Sequence, residues 1–383
     1  MNIGIIGSGT MGIGIAHATA QKEHKTLVYD SSPSSLKHGK EKLYILLEKL
    51  VEKGKYSLEK SNNIKNNIIF SENLNDIKNS ELVIEAIVEN LTIKKEVFTK
   101  IESLVSADCI IASNTSSLSI ASIASACKKS ERVIGIHFFN PANLMPLVEI
   151  IPAIQTSKET INKTKSILLE LNKVIVVAKD TPGFIVNRVA RPFYGESLRI
   201  FEEGIANFET IDWALKEIGG FKMGPFELMD YIGNDINYTV TKTVFKEFYY
   251  DPRYKPSFTQ KRLMEAGYLG RKSGKGYYDY TNEESKDINY NRKLAKKITL
   301  RVLAMLINEA SDALFLNIAS KEDIDLAMTK GVNYPKGLLK WADEIGIKNI
   351  LKILENLYNI YCEDRYRPSP ILRRMSIENN TFY

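Results

Sequence analysis

A short apolar run, Met1-Asn-Ile-Gly-Ile-Ile6, leads into three glycines at fixed spacing, Gly7-Ser-Gly9-Thr10-Met11-Gly12, and Ile13-Gly-Ile-Ala-His-Ala-Thr-Ala20 continues as a helix-compatible segment. Strand, glycine turn and helix in that order leave few folds open. The first glycine permits a tight turn, the second lets backbone approach a pyrophosphate, and the third lets helix pack closely on strand. The opening N–H groups of such a helix lack helical partners and sit at its positive end, which favours phosphate. Lys25-Thr-Leu-Val-Tyr-Asp30 then reads as a second strand ending in an acid. An acid there suits the two ribose hydroxyls of NAD and repels the extra phosphate of NADP. The expectation is a doubly wound, mostly parallel α/β sheet that binds NAD through Gly7, Gly9, Thr10, Met11, Gly12 and Asp30.

The same α/β rhythm continues downstream. Between Leu36 and Lys60 an amphipathic helix pair is expected, its lysines mostly solvated. Leu82 to Val88 reads as a buried strand, Leu91 to Leu104 as a helix, and Ile110 to Ser113 as a strand entering Asn114-Thr-Ser-Ser117. In an open parallel sheet, ligands sit outside the carboxyl ends of the strands. Glu89 with Asn90, Asn114 with Ser116, and His137 with Asn140 each fall at such an end. Singly, each also reads as a helix cap or turn residue.

Two lone polar residues then stand in apolar runs, His137 in Arg132-Val-Ile-Gly-Ile-His137 and Glu149 in Leu147-Val-Glu149-Ile-Ile151. Burying an isolated carboxylate costs several kcal/mol, so Glu149 needs a partner, and His137 is the obvious one. A carboxylate holding one imidazole nitrogen leaves the other free as a base. The remaining histidines, His17, His24 and His38, all lie within the first forty residues.

Composition narrows the class. At 383 residues the chain is long enough for two or three domains, and 44% hydrophobic with 26% charged residues is ordinary for a globular protein. Cys109, Cys127 and Cys362 form neither metal-ligand spacing nor an even disulfide framework, which points to a reducing, cytoplasmic setting. A strand beginning at residue 2 leaves no room for a leader, and no run of about eighteen apolar residues spans a membrane. The net charge of +6 suits an anionic small ligand, without the clustered basic and aromatic residues of a nucleic-acid binder.

Several segments together resemble the L-(S-)3-hydroxyacyl-CoA dehydrogenase family, close to the 3-hydroxybutyryl-CoA dehydrogenases. They are GIIGSGTMGIGIA, LVIEAIVENLTIKKEVF, IASNTSSLSI, GIHFFNPANLMPLVEII, KDTPGFIVNRV and GRKSGKGYYDY, in family order over residues 1 to about 280. The resemblance implies an NAD-dependent oxidoreductase of fatty-acid metabolism acting on an acyl-CoA thioester. By that resemblance His137 is the general base and Glu149 holds its ring. Ser116 should hydrogen-bond the substrate's 3-oxygen, and Asn187 should lie near the reacting centre. Glu89, Lys94, Asn140 and Lys272 should contact NAD or its surroundings. The resemblance assigns no CoA contacts; Lys53, on the charged helix pair, is a candidate phosphate partner for CoA. One departure falls inside the best segment: Pro146 stands where the family usually has lysine.

A second feature is an internal repeat. Glu196, Ile211-Asp212, Asp230 and Ile232-Gly233 recur as Glu309, Ile324-Asp325, Asp343 and Ile345-Gly346, and Asp251 to Ser257 recurs as Glu363 to Ser369. Order and near-constant offset argue duplication of one helical unit. The expected domains are 1–180 for NAD, 181–280 for the first helical copy and 281–383 for a degenerate second copy, joined through Thr281 to Arg292. Only the first copy has the PGFIVN segment, so only it completes an active site. The repeat leaves a homodimer or a pseudo-dimeric monomer open. Two other functions remain: an NAD-linked dehydrogenase of a free hydroxy or sugar acid, and a non-catalytic NAD-binding protein. Acyl chain length and reaction direction are not encoded in these motifs.

Overall fold

In a computed structural model, which describes residues 1–282 and 287–383, the chain divides after Phe184 into two units. The first holds β1 (Asn2–Ile6), α1 (Thr10–Ala20), β2 (Lys25–Tyr29), α2 (Pro33–Glu52), α3 (Leu58–Asn66), β3 (Ile68–Ser71) and β4 (Leu82–Glu85). It continues with α4 (Leu91–Leu104), β5 (Ile110–Ser113), α5 (Ile120–Ala124), β6 (Val133–Phe138), β7 (Leu147–Pro152), α6 (Lys158–Glu170) and β8 (Val174–Val177). Ile, Val and Leu fill both faces of β1, β4, β5 and β6, as a parallel sheet covered on both sides requires.

The eight strands run in the order β3-β2-β1-β4-β5-β6-β7-β8, parallel from β3 through β6. That is the doubly wound order with its switch point between β1 and β4. The pairing of β6 with β7 is antiparallel. Their connection, residues 139–146, is shorter than a parallel crossover needs. The reversal sets His137 directly opposite Glu149 on neighbouring strands.

The strand expected over Leu82 to Val88 stops at Glu85. The Glu85 carboxylate turns back to accept the Ile87 N–H at 2.7 Å, which closes a turn and frees Glu89 to stand in a loop. Within the expected helix pair, Leu36, Leu43 and Leu47 of α2 join the core, while Ile45 and Leu46 face solvent.

The second unit is helical: α7 (Val186–Val189), α8 (Arg191–Glu202), α9 (Phe208–Glu217), α10 (Pro225–Ile232), α11 (Asn234–Glu247), α12 (Phe258–Glu265), α13 (Arg292–Phe315), α14 (Lys321–Gly331), α15 (Leu338–Ile345), α16 (Ile347–Tyr361) and α17 (Pro370–Glu378). Both halves of the repeat fall in this one unit, because α13 packs on α8 and α9 as well as on α15, α16 and α17. The middle of the expected join, residues 283–286, lies outside the described residues.

Equivalent residues exchange partners across the repeat. Arg188 and Tyr254 donate to Glu309 at 2.6 and 2.5 Å, while Arg301 and Tyr366 donate to Glu196 at 2.6 and 2.8 Å. The repeat also runs beyond Ser369. Asp230 accepts the N–H groups of Tyr277 and Tyr278, and Asp343 accepts those of Phe382 and Tyr383 in the same way. Among the described residues no helix is long and apolar enough to cross a membrane.

Candidate active site

The glycine turn is shaped by the reasons its spacing predicts. Gly7 has φ +104°, and a Cβ there would lie 2.6 Å from the Ala86 carbonyl oxygen. A side chain on Gly12 would collide with the Gly7 carbonyl, so this glycine is the close helix–strand contact. Nothing lies within 4 Å of a Cβ position on Gly9, which leaves the turn open to a phosphate. A cavity of about 960 Å³ opens from the turn, lined by Gly7, Gly9, Thr10, Asp30, Ile87 and Asn140 among others. Met11 and Gly12 are outside its lining, and Met11 packs on the sheet's apolar core instead.

Asp30 Oδ2 accepts the Ser8 N–H and hydroxyl at 2.8 and 2.7 Å, and Oδ1 accepts the Ser32 N–H at 3.0 Å. The acid is thereby aimed into the cavity from β2. These residues fit a dinucleotide: Gly9 and the start of α1 would hold its pyrophosphate, and Asp30 its adenine ribose.

Side chains lace the neighbouring strand ends together. Glu89 Oε1 accepts the Thr115 hydroxyl at 2.5 Å, the Ser117 hydroxyl at 3.1 Å and the Ser116 N–H at 3.3 Å. Asn114 Oδ1 accepts the Phe138 N–H at 2.9 Å, tying the serine loop to the end of β6. Lys94 is 1% exposed, its ammonium between Glu85 at 2.5 Å and Glu89 at 3.3 Å. It therefore anchors Glu89 from inside. Glu85 also accepts the Ser113 hydroxyl at 2.7 Å and was missed in the sequence. The signal was the one that singled out Glu149, a carboxylate in an apolar strand.

Beside this lattice stands the expected pair. His137 Nδ1 donates to Glu149 Oε2 at 2.6 Å, with His137 6% exposed and Glu149 fully buried. An ionised carboxylate only accepts, so the Nδ1 proton is assigned to the imidazole and Nε2 is left as the lone-pair nitrogen. Phe139 lies tilted against the ring and Phe184 meets it edge-on, at centroid distances of 4.5 and 5.8 Å. The loop after β6 is pinned from beneath by Lys173, whose Nζ donates to the Ala142 and Met145 carbonyls at 2.6 and 2.8 Å. Burial lowers this ammonium's pKa to about 8.

The other expected residues have surroundings of their own. Asn140 is exposed at the cavity rim, and Lys53 caps α2 in solvent, outside the cavity lining. In the helical unit Asn187 is half-buried on α7, and Lys272 pairs with Asp235 at 2.6 Å. Pro146 directly precedes β7, outside the ladder that its missing N–H would interrupt, and its carbonyl accepts the Val174 N–H.

A doubly wound sheet with an NAD-type glycine turn, and a buried carboxylate–histidine pair at a strand end, are the features of an NAD-linked dehydrogenase. The chain belongs to the 3-hydroxyacyl-CoA dehydrogenase family. Residues 2–181 match the family's NAD-binding domain, and residues 183–280 and 298–381 both match its C-terminal domain. The 3-hydroxyadipyl-CoA dehydrogenase of Escherichia coli (strain K12) is 35% identical over 98% of this chain and 97% of its own length. A 3-hydroxybutyryl-CoA dehydrogenase of Clostridioides difficile is 39% identical over 73% of this chain and 99% of its own length. The crystal structure of 3-hydroxybutyryl-CoA dehydrogenase from E. coli K12 superposes with a TM-score of 0.93 at 34% identity, covering 99% of this chain and 98% of that one.

Proposed function

We propose that this enzyme interconverts (S)-3-hydroxyacyl-CoA and 3-oxoacyl-CoA with His137 as general base. The observation behind this assignment is the His137–Glu149 pair, set across two antiparallel strands with Nε2 open at the end of β6. In oxidation, Nε2 accepts the proton of the substrate's 3-hydroxyl. Glu149 steadies the imidazolium that forms, as a carboxylate does for the base of a catalytic triad. Ser116, held by Glu89, hydrogen-bonds the 3-oxygen, and Asn187 serves near the reacting centre. Bound NAD supplies the hydride acceptor for C3. Lys94 acts through Glu89 to position the cofactor side of the site, and Lys272 and Asn140 complete its surroundings. A positioned base of this kind contributes about 10²–10⁴-fold.

The test is NADH oxidation with acetoacetyl-CoA, comparing wild type with His137→Ala. Turnover by wild type and a loss of about two to four orders of magnitude in the variant are expected. No turnover by wild type, despite tight NADH binding, would move the assignment to a free hydroxy acid or a non-catalytic role.

The second helical copy takes the place of a dimer partner within one chain. The reciprocal Arg188–Glu309 and Arg301–Glu196 pairs support this, since exchange of equivalent contacts is what a two-fold interface does. Relatives that align with only 73% of this chain, over nearly all of their own length, support it too.

A further inference from the structure

Glu85 is fully buried at the end of β4, and the three groups that donate to it all lead to the site. Its Oε1 accepts the Ile87 N–H at 2.7 Å, and Ile87 lines the cavity beside the glycine turn. The same oxygen accepts the Lys94 ammonium at 2.5 Å, and Lys94 holds Glu89 at 3.3 Å. Its Oε2 accepts the Ser113 hydroxyl at 2.7 Å, and Ser113 Oγ in turn accepts the Thr115 N–H at 3.2 Å. The Thr115 hydroxyl donates to Glu89 at 2.5 Å. Glu85, Lys94, Glu89, Thr115 and Ser113 thus close a ring, in which each hydrogen bond polarises the next.

Ser116 hangs from this ring. Its N–H meets Glu89 at 3.3 Å, and the residue before it is fixed twice, by Ser113 and by Glu89. The far end of the serine loop has a separate anchor. There Asp180 accepts the Ser119 hydroxyl at 3.1 Å and the Ile120 and Ala121 N–H groups at 3.0 and 2.8 Å. The ring therefore governs the end of the loop that carries Ser116.

Packing gives no reason for a carboxylate at this point. In register Glu85 lies between Ile6 of β1 and Ser113 of β5, and the apolar Ile6 serves the same level of the sheet. Replacing a buried ion pair by apolar groups is often neutral or stabilising, so the pair is weak evidence of a role in stability. An ionised carboxylate can instead accept from several donors at once and fix their directions. Here the donors come from the cavity wall, from α4 and from the strand that leads into the serine loop.

We propose that Glu85 is a positioning residue that sets Glu89 and the Ser116 loop relative to one another, with Ser113 as its link to the loop. The assignment rests on the dehydrogenase reading above, in which Ser116 meets the 3-oxygen and Glu89 stands on the cofactor side. Ser113 carries only the branch to the loop, whereas Glu85 carries both branches.

Two variants separate the branches. Glu85→Gln keeps the shape of the side chain and removes its charge, and Ser113→Ala cuts only the link to the loop. The readouts are kcat and KM for acetoacetyl-CoA reduction, the Kd of NADH by fluorescence titration, and the thermal midpoint. Ser113→Ala should lower kcat about 10- to 100-fold, the order for a small misplacement at a site, with the Kd of NADH unchanged. Glu85→Gln should lower kcat at least as far and also weaken NADH binding about 10-fold, as for loss of a charged hydrogen bond. Normal kcat in both variants with a lowered thermal midpoint would overturn the proposal and leave Glu85 a structural residue, while the dehydrogenase reading stands. An equal rise of the Kd of NADH in both variants would overturn it too, since the branches would not be separate. No turnover by wild type would remove the dehydrogenase reading and the proposal with it. Should Glu85→Gln not fold, Ser113→Ala decides alone: a lowered kcat with normal NADH binding supports the proposal, and a normal kcat defeats it.

Discussion

His17 shows how a single residue sets a response to pH. It lies on the buried face of α1, 1% exposed, with Nδ1 unpartnered and Nε2 3.3 Å from the Tyr56 hydroxyl. Burial, aided by Lys60, lowers its pKa from 6.5 to about 4. Between those values the unfolded chain binds a proton that the folded chain refuses, so stability falls as pH drops from 6.5 towards 4. The shift corresponds to about 3 kcal/mol. His17→Gln should flatten this part of the profile by that order, seen in urea midpoints at pH 7 and pH 4.5. Parallel profiles for the two proteins would refute the assignment. The sequence placed His17 only among the histidines of the first forty residues; its charge state required knowing what covers it. Glu149 was legible because a carboxylate in an apolar strand demands a partner. Glu85, in the same position chemically, has a partner nine residues away on α4, and Lys94 there was expected at the cofactor, with no local signal pairing it to Glu85.

At the level of elements, the unit that matters is β6, its loop and β7. A short connection forces the antiparallel return, and the return brings base and carboxylate face to face. Both strands, and the loop between them, are readable as apolar runs separated by prolines. Lys173 is not, because the two carbonyls it holds lie 31 and 28 residues before it in the chain. In Lys173→Met, relief of the buried ammonium should offset most of the two lost hydrogen bonds, leaving the thermal midpoint close to wild type. The freed loop should still lower kcat/KM about 10- to 100-fold, since small misplacements at a site are costly. A large fall in the thermal midpoint with normal activity would show that the lysine serves the fold and not the loop.

For the whole molecule, the duplicated helical segments predict one chain per particle. Light scattering should give the mass of a single chain across a wide concentration range, and an obligate dimer assembled through the first copy would contradict it. Breaking one reciprocal pair tests the same idea from inside. The repeated residues were visible in order and spacing as far as Ser369. Phe382 and Tyr383 escaped, because a shorter connection in the second copy shifts them out of the constant offset although Asp343 receives them as Asp230 receives Tyr277 and Tyr278.

Sequence by itself determined the elements and the chemistry they bear: a glycine turn admits only certain backbone conformations, apolar runs must be buried, and a lone carboxylate among them must be met. Those are local constraints. Only the tertiary structure decided which charge meets which, that Lys94 serves Glu85 and Glu89, and that Lys173 holds a loop. Pairings of that kind depend on distance in space, and the chain's own order does not record it.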